Sequence, residues 1–170
     1  MLQRFAKIEH LFFNDNPVSK KLLSKGLKYL IPFNSPLGFD VQDIDQYKVS
    51  IKLPHRRKAF NHVNSIHACA IATLGELCAG VILMRNLGLS DYRLVLAHLE
   101  THYTYQAKKS LVGIIVVTPE QIDQLKNDLD GGDTSMFLGE TKIDDIDGNC
   151  VAIVKTKWQL KKWKKVKTKL

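Results

Sequence analysis

Glu76 is where this chain invites chemistry. It is the one charged residue between Ile66 and Met84, a run dominated by Ala, Leu, Ile, Val and Gly. A carboxylate among apolar neighbours resists ionisation, so its pKa rises toward neutrality and it can serve as a general base or nucleophile in a closed pocket. The competing account is structural: a glutamate bonded to a hydroxyl or backbone group, or set in a subunit interface. Two residue types upstream sharpen the choice. His67 precedes Glu76 by nine positions, and Asn61 precedes His67 by six. Cys69 stands at the same helix start, where a thiol is activated, but burial as a small apolar residue is the preferred reading.

The element that must position these groups is a helix. From Ile66 to Met84 the sequence has no proline and no β-branched run, and it is too long for a strand. Apolar residues occupy every face, so other structure must wrap it. His67, Thr73 and Glu76 interrupt it too often for a membrane span. Nine residues turn a helix by about 900° and advance it by roughly 13 Å, so Glu76 projects opposite His67. One helix cannot aim both at one reacting atom. Two antiparallel copies can, which implies a two-fold dimer with sites at its interface.

The order Asn61, His67 with Ala68, then Glu76 resembles the hotdog-fold acyl-CoA thioesterases of the phenylacetate-pathway (PaaI-like) type. The match is tight from Asn61 to Glu76 and looser from about Gly38 to Trp163. The resemblance implies hydrolysis of an acyl thioester, with acyl-CoA as substrate and no other cofactor. It implies Glu76 as base or nucleophile, the Ala68 backbone N–H as oxyanion donor, and Asn61 and His67 of a partner chain orienting the thioester and water. It also implies a homodimer, or a dimer of dimers. A strand hydroxyl often assists the family's carboxylate; counting back from Thr104-Tyr105, that position falls near His98. The family usually carries His-Gly-Gly where this chain has His67-Ala68-Cys69. An N–H survives there, but added side-chain atoms narrow the approach. A non-catalytic acyl-CoA-binding protein is the alternative, and a hotdog dehydratase is less favoured.

The remaining elements are consistent with one α+β domain: a long central helix wrapped by five or six mostly antiparallel strands, the hotdog architecture. Residues 1–32 read as an N-terminal helical extension and 33–170 as the hotdog domain. Asn16-Pro17 is an N-cap signal, followed by Leu22, Leu23, Leu27 and Leu30 at helical spacing. With Lys20, Lys21, Lys25 and Lys28 this segment could touch a membrane surface, although packing on the sheet as a lid or dimer flank is the preferred reading. A hairpin follows, with Tyr47, Val49, Ile51 and Leu53 alternating inward. After the central helix, Arg93 to Tyr105 reads as a long strand, placing Leu94, Leu96, His98, Glu100 and His102 on one face. Leu111 to Val117 suits a sheet centre. Thr118-Pro119-Glu120-Gln121 has capping-box spacing, and Asp147-Gly148 marks a hairpin turn.

The formal charge is +8. Lys155 to Lys169 holds eight Lys and no acid, so the first 154 residues are neutral overall. The tail reads as a solvated edge strand in which Lys discourages aggregation. Coenzyme A phosphates or anionic lipid come next as partners, ahead of nucleic acid, for which no motif is present. Arg56, Arg57, Lys108 and Lys109 are the other candidate anion contacts. Three Cys without CxxC spacing argue against disulfides and a metal site. No signal peptide is evident, so a reduced cytoplasmic setting is expected.

Overall fold

The computed structural model describes residues 16–88 and 90–167. Its elements run α1 (Pro17–Leu30), β1 (Asp40–Ile44), β2 (Lys48–Leu53), α2 (Ala68–Leu87), β3 (Tyr92–Tyr103), β4 (Leu111–Val116), α3 (Pro119–Gly131), β5 (Thr134–Asp145) and β6 (Cys150–Lys162). Six strands form one antiparallel sheet in the order β1-β2-β4-β5-β6-β3. The sheet wraps α2, and the fold is the α+β hotdog arrangement. By length and composition α2 could cross a membrane. Its apolar side chains are instead consumed by the sheet, from Ile71 and Leu74 through Leu83.

Local chemistry explains most element boundaries. Asn16 caps α1 by accepting from the Ser19 N–H at 2.8 Å. Thr118 and Gln121 form the reciprocal capping box that starts α3, with Ile122, Leu125 and Leu129 buried on its inner face. The β5–β6 hairpin closes on Asp145, whose carboxylate accepts from the N–H groups of Asp147 and Asn149. Gly148 there has φ +89°, which an L side chain resists. Along β5, buried Ser135, Phe137, Gly139, Thr141 and Ile143 alternate with exposed residues.

Three readings from sequence are corrected. The lysine-rich segment from Lys155, expected as a solvated edge strand, lies through Lys162 in β6, between β5 and β3 rather than on a sheet edge. Leu22 does not join the buried stripe of α1; it is 44% exposed, and Ser19, Leu23, Ser24 and Leu27 form the inner face. Strict alternation also fails on β3. The pairing with β6 slips between Leu96 and His98, leaving Ala97 as an extra residue in a bulge. Leu94 and Leu96 face the core before it, and Leu99 and Thr101 after it. The expected segment before residue 16 lies outside the described residues.

The sheet can close on α2 only where side chains vanish. A Cβ built on Gly75 would sit 2.3 Å from the Val154 Cβ, and one on Gly113 would sit 2.9 Å from Leu74. Between them, Thr141 donates its hydroxyl to the Gly75 carbonyl at 3.1 Å. Gly75→Ala should therefore force helix and sheet apart. The expected loss is about 2–3 kcal/mol in denaturant unfolding, the cost typical of overpacking. An unchanged midpoint would show that β6 yields freely at this contact.

Candidate active site at the start of the central helix

The loop before α2 is folded by Asn61. Its Oδ1 accepts from the N–H groups of Val63 (3.0 Å) and Ser65 (3.1 Å), which turns the chain. The Asn61 side-chain oxygen is thereby committed to the turn, and its NH₂ group remains a donor. The returning chain is pinned on both sides: Ile66 donates to the Ala107 carbonyl at 2.8 Å, and His67 donates to the Ala59 carbonyl at 2.7 Å. Asn61 and His67 are thus brought into one short loop.

His67 is the N-cap of α2. Its Nδ1 accepts from the Cys69 N–H at 3.0 Å. A backbone N–H can only donate, so the neutral ring carries its proton on Nε2. The His67 carbonyl accepts from Ala70 at 2.9 Å and Ile71 at 3.2 Å. Of the first four helix N–H groups, three are therefore satisfied by His67 alone. The fourth, on Ala68, has no acceptor among the described residues. It stands exposed at the positive end of a 20-residue helix. Sequence reasoning missed Tyr103, whose hydroxyl donates to the Ala68 carbonyl at 2.9 Å and ties this residue to the end of β3.

Cys69 is exposed rather than buried. With Thr73 it lines a pocket of about 210 Å³ whose other walls include Phe33, Leu37, Phe60 and His67. Cys69, Ala72, Thr73 and Glu76 follow one another at helical spacing and form the one incompletely covered stripe in the N-terminal half of α2. Glu76 is partly buried there and makes no hydrogen bond or ion pair among the described residues. Burial pushes its carboxyl up to about 7.

The weaker candidates are dispersed. His98 lies on the exposed outer face of the sheet, 4.0 Å from Glu100, because the Ala97 bulge reverses the strand's phase. The hydroxyl that β3 does turn inward is Thr101, paired in register with Val154. Its Oγ1 is buried. Arg56 packs its guanidinium over Gly38. Arg57 and Lys108 are exposed, and Lys108 is in the turn that Ala107 anchors beside Ile66. Lys109 is ion-paired to Asp147 on the β5–β6 hairpin. Among the described residues, no three His, Cys, Asp or Glu side chains converge as a metal site.

Solved structures share this fold. A Pseudomonas aeruginosa protein of unknown function, described as a probable thioesterase, superposes with a TM-score of 0.76 at 20% identity, covering 88% of this chain and 99% of its own. A Haemophilus influenzae thioesterase gives 0.68 at 8% identity, covering 93% and 99%. A Staphylococcus aureus thioesterase gives 0.62 at 13%, covering 76% and 98%. It was solved with a glutamine and, separately, a glutamate replaced by alanine. At these identities the likeness establishes the fold. No curated protein matches the sequence. The family model for DUF4442, a domain of unknown function, matches residues 19–163, and the chain belongs to that family.

Proposed function

We propose that this protein hydrolyses acyl thioesters, with acyl-CoA as the substrate and Glu76 as the group that activates water or attacks the carbonyl. The carrying observation is Glu76 itself: a carboxyl without an ionic or hydrogen-bonding partner among the described residues, pushed up to about 7 by burial on the core helix of a hotdog fold. Such a group is poised to accept a proton at neutral pH. Thioesterases among the structural neighbours support the reading. In the Staphylococcus aureus thioesterase, the replaced glutamine and glutamate stand fifteen positions apart, the separation of Asn61 and Glu76 here.

The chemistry follows from the groups present. The open Ala68 N–H polarises the thioester carbonyl and holds the oxyanion. Water adds to the carbonyl carbon as its proton passes to Glu76; the C–S bond then breaks, and the thiolate leaves with little acid assistance. His67 Nε2–H and the Asn61 NH₂ are donors that orient the thioester and the water. Because Glu76 lies far along α2 from His67, the site is completed by the Glu76 of a second copy. The long strand β3 supports such a dimer, since among the described residues it pairs with β6 alone and lies at the sheet edge. Arg56, Arg57 and Lys108 stand on loops beside the helix start, where coenzyme A phosphates would lie. The assembly belongs to the PaaI-like type in this reading.

Thiol release from a panel of acyl-CoAs tests it. The unaltered protein should release thiol, with kcat/KM rising as pH passes through about 7. Glu76→Gln should lower it at least about a hundredfold, in line with loss of a general base. Equal release by both proteins would remove Glu76 from the mechanism. Tight acyl-CoA binding with no release would make the protein an acyl carrier instead.

The same carboxyl sets a pH dependence of stability. Between its ordinary value of 4.5 and about 7, the folded chain holds a proton that the unfolded chain has lost. Stability therefore falls as pH rises through that window. Glu76→Gln should match the unaltered protein near pH 4 and exceed it at pH 8 by about 3 kcal/mol. Chemical denaturation at the two pH values measures the difference.

A further inference from the structure

We infer that the outer face of α1, continued by Phe33, docks on an anionic lipid membrane. The helix carries Lys20, Lys21, Lys25 and Lys28 and no acidic residue. Leu23 and Leu27 enter the core, yet other apolar side chains remain outside: Val18 is 67% exposed, Leu22 44%, Tyr29 69% and Phe33 73%. At about 100° per residue, Val18, Leu22, Lys25 and Tyr29 fall within a stripe roughly 60° wide, with Lys21 and Lys28 along one border. Lys21, Lys25 and Lys28 make no ion pair among the described residues. Lys20 is different, since it turns inward to Asp43 at 3.5 Å.

The chemistry of this face selects its partner. A second copy of the same surface would set lysines against lysines. An apolar protein surface would bury ammonium groups without partners. Nucleic acid would neutralise the lysines and leave Val18 and Leu22 in water. A lipid interface satisfies both parts, because its anionic headgroups lie directly above its apolar layer. Lysine stems can lie along the apolar layer while the ammonium groups stay among the phosphates.

Phe33 belongs to two features at once. It ends the exposed apolar run in the turn after α1, and it lines the pocket beside His67 and Cys69. Docking through α1 therefore brings the mouth of that pocket to the bilayer, where long acyl chains reside. This last step rests on the thioesterase reading; the docking does not.

Sedimentation with vesicles tests the inference. The full chain should pellet with equimolar phosphatidylcholine and phosphatidylglycerol and stay in solution with phosphatidylcholine alone. Lys21→Glu/Lys25→Glu/Lys28→Glu should lower the bound fraction at least about tenfold, and salt at about 0.5 M should do the same. Leu22→Ser/Tyr29→Ser should also lower it, with an unchanged thermal midpoint showing that the helix still packs. Phe33→Ser, outside the helix, supplies an independent loss. Failure of the unaltered protein to pellet, or pelleting that all three variants retain, overturns the inference. So does a change of oligomeric state in Leu22→Ser/Tyr29→Ser with pelleting intact, since the face would then join subunits. A protein that pellets but releases no thiol keeps the docking and loses the thioesterase reading.

Discussion

The depth at which α2 sits in the sheet governs the rest of the molecule. Gly75 lets the helix backbone reach Val154, and Gly113 lets the sheet backbone receive Leu74 and Cys78. The Thr141 hydroxyl fastens the Gly75 carbonyl from the sheet side. A helix held this close leaves little room for water around the residue that follows Gly75. Glu76 is that residue, and burial dominates the rise of its pKa. The raised pKa of the carboxyl is thus a product of packing. An ion pair would have worked the other way, since a nearby cation favours the charged form and lowers a carboxylate's pKa.

That packing was legible in the sequence to a useful degree. The apolar run on every face of α2, broken by one acid, already required a wrapped helix with a costly carboxylate. The capping residues Asn16 and Thr118, and the Asp147-Gly148 turn, were readable because each acts through its own local hydrogen bonds. The lysine-rich segment expected at a sheet edge lies inside β6, because β3 returns to pair beyond it. Period-two alternation describes β5, which is flanked on two sides and half buried. It failed on β3, an edge strand whose partly exposed residues constrain register weakly. The bulge at Ala97 is set by the β6 pairing, and no local signal marks it. One extra residue there sends His98 outward and Thr101 inward, so the position counted back from Thr104-Tyr105 falls on the outer face of the sheet. Cys69 was misjudged for a related reason. Its type suits burial, but its place on the uncovered stripe of α2 depends on which helix face the sheet takes.

The start of α2 shows how a few residues can concentrate a helix's polarity. The field at a helix N-terminus is carried by its first unpaired N–H groups. Here His67 answers three of the four, through its carbonyl and its ring nitrogen. The remaining donor, on Ala68, has no acceptor among the described residues. Its position is fixed by the Ala59 and Ala107 carbonyls upstream and by Tyr103 downstream. A glycine at position 68 would offer the same N–H on a more flexible backbone. Alanine gives up some approach volume for a stiffer turn. Capping also commits the His67 ring, since accepting at Nδ1 leaves Nε2–H pointing away from the helix as a donor. The cap that stabilises the helix therefore also sets which donors of His67 and Ala68 remain open among the described residues, so the fold of this loop and its polarity rest on the same hydrogen bonds.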